Sequence, residues 1–200
     1  MKRGLAIVGG LGLLCMATYA RADGASAFFA SYGVHPPEAS RITYCHGYGC
    51  AFRTRIGFSS GEIGRLASIM SAGRASPAAE RSAISRAVQW FEAKAGREAG
   101  TSSDKPKLGA MGGDPTQLDC IDEAANTTSL LILMEKRGLL RHHKVLSPRT
   151  RGFVFDFRYP HNAAVIEEKK GGERWAVDSW PRANGEKPDI MKLATWLAAS

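Results

Sequence analysis

Three residues of this chain carry the side chains that thiol-based acyl chemistry needs: Cys120, His161 and Asp178. Cys120 sits in the run Leu118-Asp119-Cys120-Ile121-Asp122-Glu123-Ala124, where a turn enters a helix. A thiol attacks a carbonyl as its thiolate, which is favoured at a helix N-terminus and beside a histidinium. Asp122 and Glu123 act in the opposite sense, because nearby carboxylates raise a thiol's pKa, so the chemistry needs a histidine partner. His161 opens the stretch His161-Asn162-Ala163-Ala164-Val165-Ile166-Glu167. The next stretch, Arg174-Trp175-Ala176-Val177-Asp178-Ser179-Trp180, folds back across Gly171-Gly172 and brings Asp178 near His161. An aspartate beside an imidazole fixes its tautomer and stabilises its cation. Such an imidazole can activate a thiol and then protonate the leaving group.

Each residue also has a plainer reading. Cys120 suits a small core position on an apolar helix face, His161 follows Pro160 in a turn, and Asp178 fits a strand end as a hydrogen-bonding residue. For an oxyanion, the Cys120 backbone N–H is one donor and Gln117 is a second candidate, although Gln117 also fits a turn cap. His142-His143 is a histidine pair, but neighbours on a strand point to opposite faces and do not share one ion. No metal and no cofactor is expected. Trp175 and Trp180 are expected to pack the sheet, with Trp180 placed to shield the histidine–aspartate pair from water.

Several elements must position these residues. Residues 1–22 read as a signal peptide: Lys2 and Arg3, an apolar stretch from Leu5, and Ala20-Arg21-Ala22 as cleavage site. The apolar part is short for a membrane span, and the residues before Cys15 make a poor lipidation motif. Residues 23–40 read as a flexible lead-in. Residues 41–58 form a hairpin, with strand formers on either side of His46-Gly47-Tyr48-Gly49. Cys45 and Cys50 bracket that turn within disulfide reach, and an exported protein can keep the bond; the rival is a metal site of Cys45, His46 and Cys50. Helices start at Ser59 or Ser60 and near Ser76-Pro77. A Gly/Pro/Ser-rich loop over 99–118 leads into a helix over 119–137 that stops at Gly138. A competing start at Asp114-Pro115-Thr116-Gln117 suggests a short turn before it. Strands follow at about 142–147, 152–158, 161–168 and 173–180, and a terminal helix at 188–198. Helices followed by antiparallel strands define an α+β domain, a single one over 41–200.

With these residues placed, the chain resembles the transglutaminase-like branch of the papain-like cysteine protease superfamily, including bacterial transglutaminase-like cysteine proteinases. The resemblance spans about 76–180 and is carried by Asp119-Cys120-Ile121-Asp122-Glu123-Ala124, His161 and Val177-Asp178-Ser179-Trp180. It implies helices before a nucleophile helix that packs on an antiparallel sheet, a Cys120-His161-Asp178 triad and a thioester intermediate. Many members have glycine where this chain has Asp119, and the 41–58 hairpin is not part of the family pattern.

The chain has 200 residues, 27 basic and 19 acidic, and a net charge of +8. Without Lys2, Arg3 and Arg21 the basic count falls to 24, a net of about +5. The basic residues are scattered without an aromatic-interleaved stripe, so no nucleic-acid partner is expected. Three of the four cysteines lie beyond residue 22. If Cys45 pairs with Cys50, Cys120 is the thiol left over, which calls for a role. The expectation is a periplasmic or secreted thiol hydrolase or acyltransferase acting on protein, peptide or cell-wall amides, with no membrane span after cleavage. The alternatives are a catalytically inactive binding domain on the same fold and a metal-binding protein.

Overall fold

The computed structural model describes residues 24–107, 113–152 and 160–199. Along the chain it contains α1 (Gly24–Ser31), β1 (Arg41–His46), β2 (Phe52–Gly57), α2 (Ser60–Ser71), α3 (Pro77–Ala99), α4 (Cys120–Lys136), β3 (His143–Arg151), β4 (His161–Glu168), β5 (Arg174–Asp178), β6 (Asp189–Lys192) and α5 (Leu193–Ala198). The signal-peptide segment 1–22 lies outside the described residues, as does most of the strand expected at 152–158.

Local chemistry accounts for the helix boundaries. Ser59 caps α2 in a reciprocal box: it accepts from the Glu62 N–H while the Glu62 carboxylate accepts from the Ser59 N–H. Ser76 accepts from the Ala79 N–H, and Pro77 opens α3 where no N–H is needed. Asp119 and Asp122 form a second capping box on α4. The apolar face of α3 (Ala83, Ile84, Ala87, Val88 and Phe91) meets Leu130, Leu131, Leu133 and Met134 of α4 in the main core. Burying such side chains stabilises by roughly 1.5–3 kcal/mol each.

Strands β3, β4, β5 and β6 form one antiparallel meander in that order. The β4–β5 turn runs through Gly171 and Gly172, both at positive φ (91° and 71°), a backbone that favours glycine. The β3–β4 register slips between Leu146 and Arg149, where Pro148 sits on the outer strand without an N–H to offer. The central strand β4 is buried from His161 to Ile166 because both faces are covered. Ala164 and Ile166 join the main core beneath α4. Ala163 and Val165 join Ala176, Leu193 and Trp196 beneath α5.

β1 and β2 pair separately, as expected, and the Cys45–Cys50 disulfide closes their turn. The hairpin docks on α4 through polar atoms. The Asn126 carboxamide accepts from the Cys45 N–H (2.7 Å) and donates to the Cys45 carbonyl (2.8 Å).

Two expectations are corrected. Part of the supposed lead-in 23–40 is the helix α1, because Ala25 and Phe29 bury themselves against the disulfide, Ala125 and Ile132. The supposed terminal helix 188–198 is β6 followed by α5: residues 189–192 pair with β5, and only from Leu193 does the chain turn helical. Among the described residues, no helix is long and apolar enough to cross a membrane.

Candidate thiol site

Cys120 is the first residue of α4, and its position follows from the cap. The Asp119 carboxylate accepts from the N–H groups of Ile121 and Asp122, leaving the Cys120 N–H unused by the cap. The cap is itself braced by the disulfide turn. Tyr48 and Cys50 N–H donate to Asp122 (2.8 and 2.6 Å), and Gly49 N–H donates to Asp119 (3.0 Å). These donors answer the carboxylates that the sequence places around the thiol. Even so, burial and the Asp119 charge raise the Asp122 carboxyl to about 7.

His161 and Asp178 come together at one end of the sheet. His161 Nε2 lies 2.6 Å from Asp178 Oδ2, and Trp196 Nε1–H donates to the same oxygen at 2.7 Å. Both side chains of the pair are nearly inaccessible. In the register that pairs Ala164 with Val177 they sit diagonally across adjacent strands on one face. A carboxylate only accepts, so Nε2 carries the proton and Nδ1 is the basic nitrogen. Nδ1 is buried and has no hydrogen-bond partner. The ring lies between Trp180 and Trp196, with centroids at 4.6 and 5.4 Å. Trp180 therefore packs against His161. Trp175 instead lies under the Arg81 guanidinium and donates to Glu168.

The sulfur of Cys120 rests against the residues on either side of His161. Sγ lies 3.7 Å from the Pro160 carbonyl oxygen and 3.7 Å from Asn162 Nδ2. Asn162 is held in turn by Thr150, whose hydroxyl donates to Asn162 Oδ1 at 2.7 Å. Side chains alternate across a strand. Asn162 thus faces α4 and the thiol, while His161 faces Trp196. Cys120 is 4% exposed, and burial pushes its thiol up to about 11; Asp119 and Asp178 add to the rise and the Asn162 amides oppose it. The resting group is therefore the neutral thiol.

Gln117, the second oxyanion candidate, has its carboxamide turned to other partners. Its carboxamide is taken up by the preceding loop: Oε1 accepts from Lys105 N–H, and Nε2 donates to Ser103 O and Thr116 Oγ1. His142 and His143 also diverge, His142 to the Arg74 carbonyl and His143 to Glu80. His46, the third member of the rival metal set, is engaged by Pro115 O and Thr54 Oγ1. Cys45 and Cys50 lie close to Asp122, but their sulfurs are joined to each other.

Sequence reasoning missed Asn162, Thr150 and Trp196. For Asn162 a signal existed: it is a carboxamide in an otherwise apolar strand, directly beside the candidate histidine. Trp196 had none, because it reaches Asp178 only through the fold of the C-terminal segment. No protein-family model matches the chain, and no curated protein or solved structure matches it either.

Proposed function

We propose that the chain is an exported thiol hydrolase or acyltransferase of papain/transglutaminase-like fold, acting on amide or peptide bonds through Cys120, His161 and Asp178. The observation that carries this reading is the buried His161–Asp178 contact of 2.6 Å. It lies on the strand whose neighbouring residues hold the Cys120 sulfur at a capped helix start. The disulfide suits a periplasmic or secreted location.

The chemistry follows from the protonation states. In this structure His161 faces the other side of β4 from Sγ, so the ring or the Cys120 side chain must turn before Nδ1, the nitrogen left free, takes the proton of the neutral thiol and Sγ attacks the amide carbon. The Cys120 N–H, left open by the Asp119 cap, faces the start of the helix and donates to the oxyanion. As the tetrahedral intermediate collapses, the C–N bond breaks and the imidazolium protonates the departing amine. Water or an acceptor amine then attacks the thioester and releases Cys120. Asp178 keeps Nε2 protonated throughout, as an orienting acid. Proteins, peptides and cell-wall peptides are the substrate classes that fit.

The test compares iodoacetamide labelling of folded wild-type protein, and cleavage of a fluorogenic peptide library and of peptidoglycan, with the same measurements on Cys120→Ala and His161→Gln. Cleavage that both variants abolish supports the enzyme. A second reading, a binding domain on the same fold, is favoured by the burial of Cys120 and by the absence of a hydrogen bond to His161 Nδ1. It prevails if the wild type cleaves neither substrate, or if Cys120→Ala and His161→Gln leave the cleavage unchanged.

A further inference from the structure

The contact between Asn162 and Cys120 assigns a role to a residue outside the triad. Asn162 is 7% exposed and belongs to the strand that carries His161, but it points to the opposite face, where α4 begins. Its two polar ends have different partners. Oδ1 accepts from the Thr150 hydroxyl at 2.7 Å, the length of an O–H···O bond. That bond turns Nδ2, which has protons to give, toward the sulfur at 3.7 Å. On its other side the sulfur meets the Pro160 carbonyl, which can accept from S–H and repels a thiolate. The two contacts therefore favour opposite protonation states of the same atom: the carbonyl the thiol, the carboxamide the thiolate.

We propose that Asn162 is a further residue of the thiol site: its carboxamide, fixed by Thr150, orients the Cys120 sulfur and donates to it once the proton has left. Thr150 is a positioning residue that acts through Asn162. The proposal rests on the thiol-enzyme reading above but concerns a property of the thiol itself, so it can be measured without a substrate. Protonation moves from Sγ to His161 Nδ1, no bond to Asn162 forms or breaks, and the carboxamide remains neutral. The other charged or titratable groups whose fields reach the sulfur are Asp119 at the cap, Asp178 at the end of β5 and Tyr32 near the end of α1. All three are unchanged in the variants below, so a difference reports on Asn162.

The experiment follows the rate of iodoacetamide alkylation of Cys120 against pH in the full chain with its disulfide intact, for wild type, Asn162→Leu, Asn162→Asp and Thr150→Val. Circular dichroism melting confirms that each is folded. Losing one hydrogen bond to the sulfur raises the alkylation midpoint by roughly half to one pH unit and slows alkylation at pH 7.5 about threefold or more. Asn162→Asp, which puts a carboxylate against the sulfur, moves the midpoint further up. Thr150→Val gives a smaller shift in the same direction and keeps the question answerable if changes at 162 unfold the strand. Unchanged midpoints in the folded variants overturn the proposal. Its failure is distinct from that of the enzyme reading. If the midpoints shift but wild type cleaves nothing, the hydrolase is lost and Asn162 stands. If His161→Gln abolishes cleavage while the midpoints stay put, the reverse holds.

Discussion

Among the described residues two buried histidine–carboxylate pairs stand out, one bonded through Nδ1 and one through Nε2, and they differ in what each leaves unused. In the first, Glu80 and His143 meet at 2.9 Å. The Glu80 carboxylate also accepts from the N–H groups of Arg141, His142 and His143, and Arg81 lies 3.3 Å from the other ring nitrogen. These bonds hold the Glu80 carboxyl below the usual range despite its burial. Every polar atom of the pair has a partner, and the pair clamps the start of β3 onto α3. In the second, His161 and Asp178 meet at 2.6 Å, yet His161 Nδ1 and Asp178 Oδ1 are buried without partners. A buried unpaired polar atom costs about 1–3 kcal/mol. Burial and pairing are common to both; the spare hydrogen-bonding capacity belongs to the second pair alone, and the proposed reading assigns the chemistry there.

The largest expected effect tests that distinction directly. On a cleaved peptide, His161→Gln lowers kcat/KM by about 10³-fold or more, whereas His143→Gln leaves the activity per folded molecule within a few-fold. Equal losses in both would erase the contrast. Second, stability ranks the pairs in the opposite order. Glu80→Ala strips His143 and three backbone donors of their partner and lowers unfolding free energy by about 3–5 kcal/mol in urea titrations. Asp178→Asn, which keeps an acceptor for Trp196, costs less.

The third prediction concerns the carboxylates behind the site. Burial raises Glu92 to about 8 with help from Asp104, and lifts Glu123 well above the normal range with help from Glu92 and Asp104; burial raises Asp104 itself to about 7. One oxygen of Glu92 and one of Glu123 are buried without a partner. A carboxyl whose folded pKa is raised stays protonated in the fold after the unfolded chain has released its proton. The fold then holds more protons, so stability falls as pH rises from about 4.5 to about 8. Glu92→Gln flattens that slope and stabilises the protein on the order of 2 kcal/mol at pH 7.5, read from urea midpoints across the pH series. A slope of the opposite sign in wild type refutes the assignment. The smallest effect refines the second pair: Trp196→Phe removes one donor from Asp178 Oδ2 and lowers kcat about tenfold. An unchanged kcat would mean that the indole only packs.

What the sequence revealed of this molecule was set locally. The capping residues Ser59, Ser76 and Asp119, the glycines at 171 and 172 and the spacing of Cys45 and Cys50 act within a few residues of themselves. Helices α2, α3 and α4, the β4–β5 hairpin and the disulfide follow from them. The meeting of His161 with Asp178 could be read because one short hairpin joins them. The remainder depended on distant contacts. The apolar residues of α1 are buried through the disulfide, α4 and β3. β6 forms because β5 offers it an edge, which overrides a helical pattern that begins in earnest at Leu193. Gln117 looked like an oxyanion donor because it lies near Cys120 in sequence, yet its carboxamide is committed to residues 103–105. Asn162 escaped notice because alternation places it against a helix that begins 42 residues earlier.

The pairing of Asn126 with Cys45 bears on how the molecule avoids its own kind. β1 has β2 on one side only, so at Cys45 its other edge presents a peptide N–H and C=O. A bare edge of that sort is a template for a strand from another chain. The carboxamide of Asn126 is itself an amide, and it meets both groups at 2.7 and 2.8 Å as a neighbouring strand would. One side chain from α4 thus stands in for the missing strand, and at that point the sheet is closed to recruitment into a larger β-assembly.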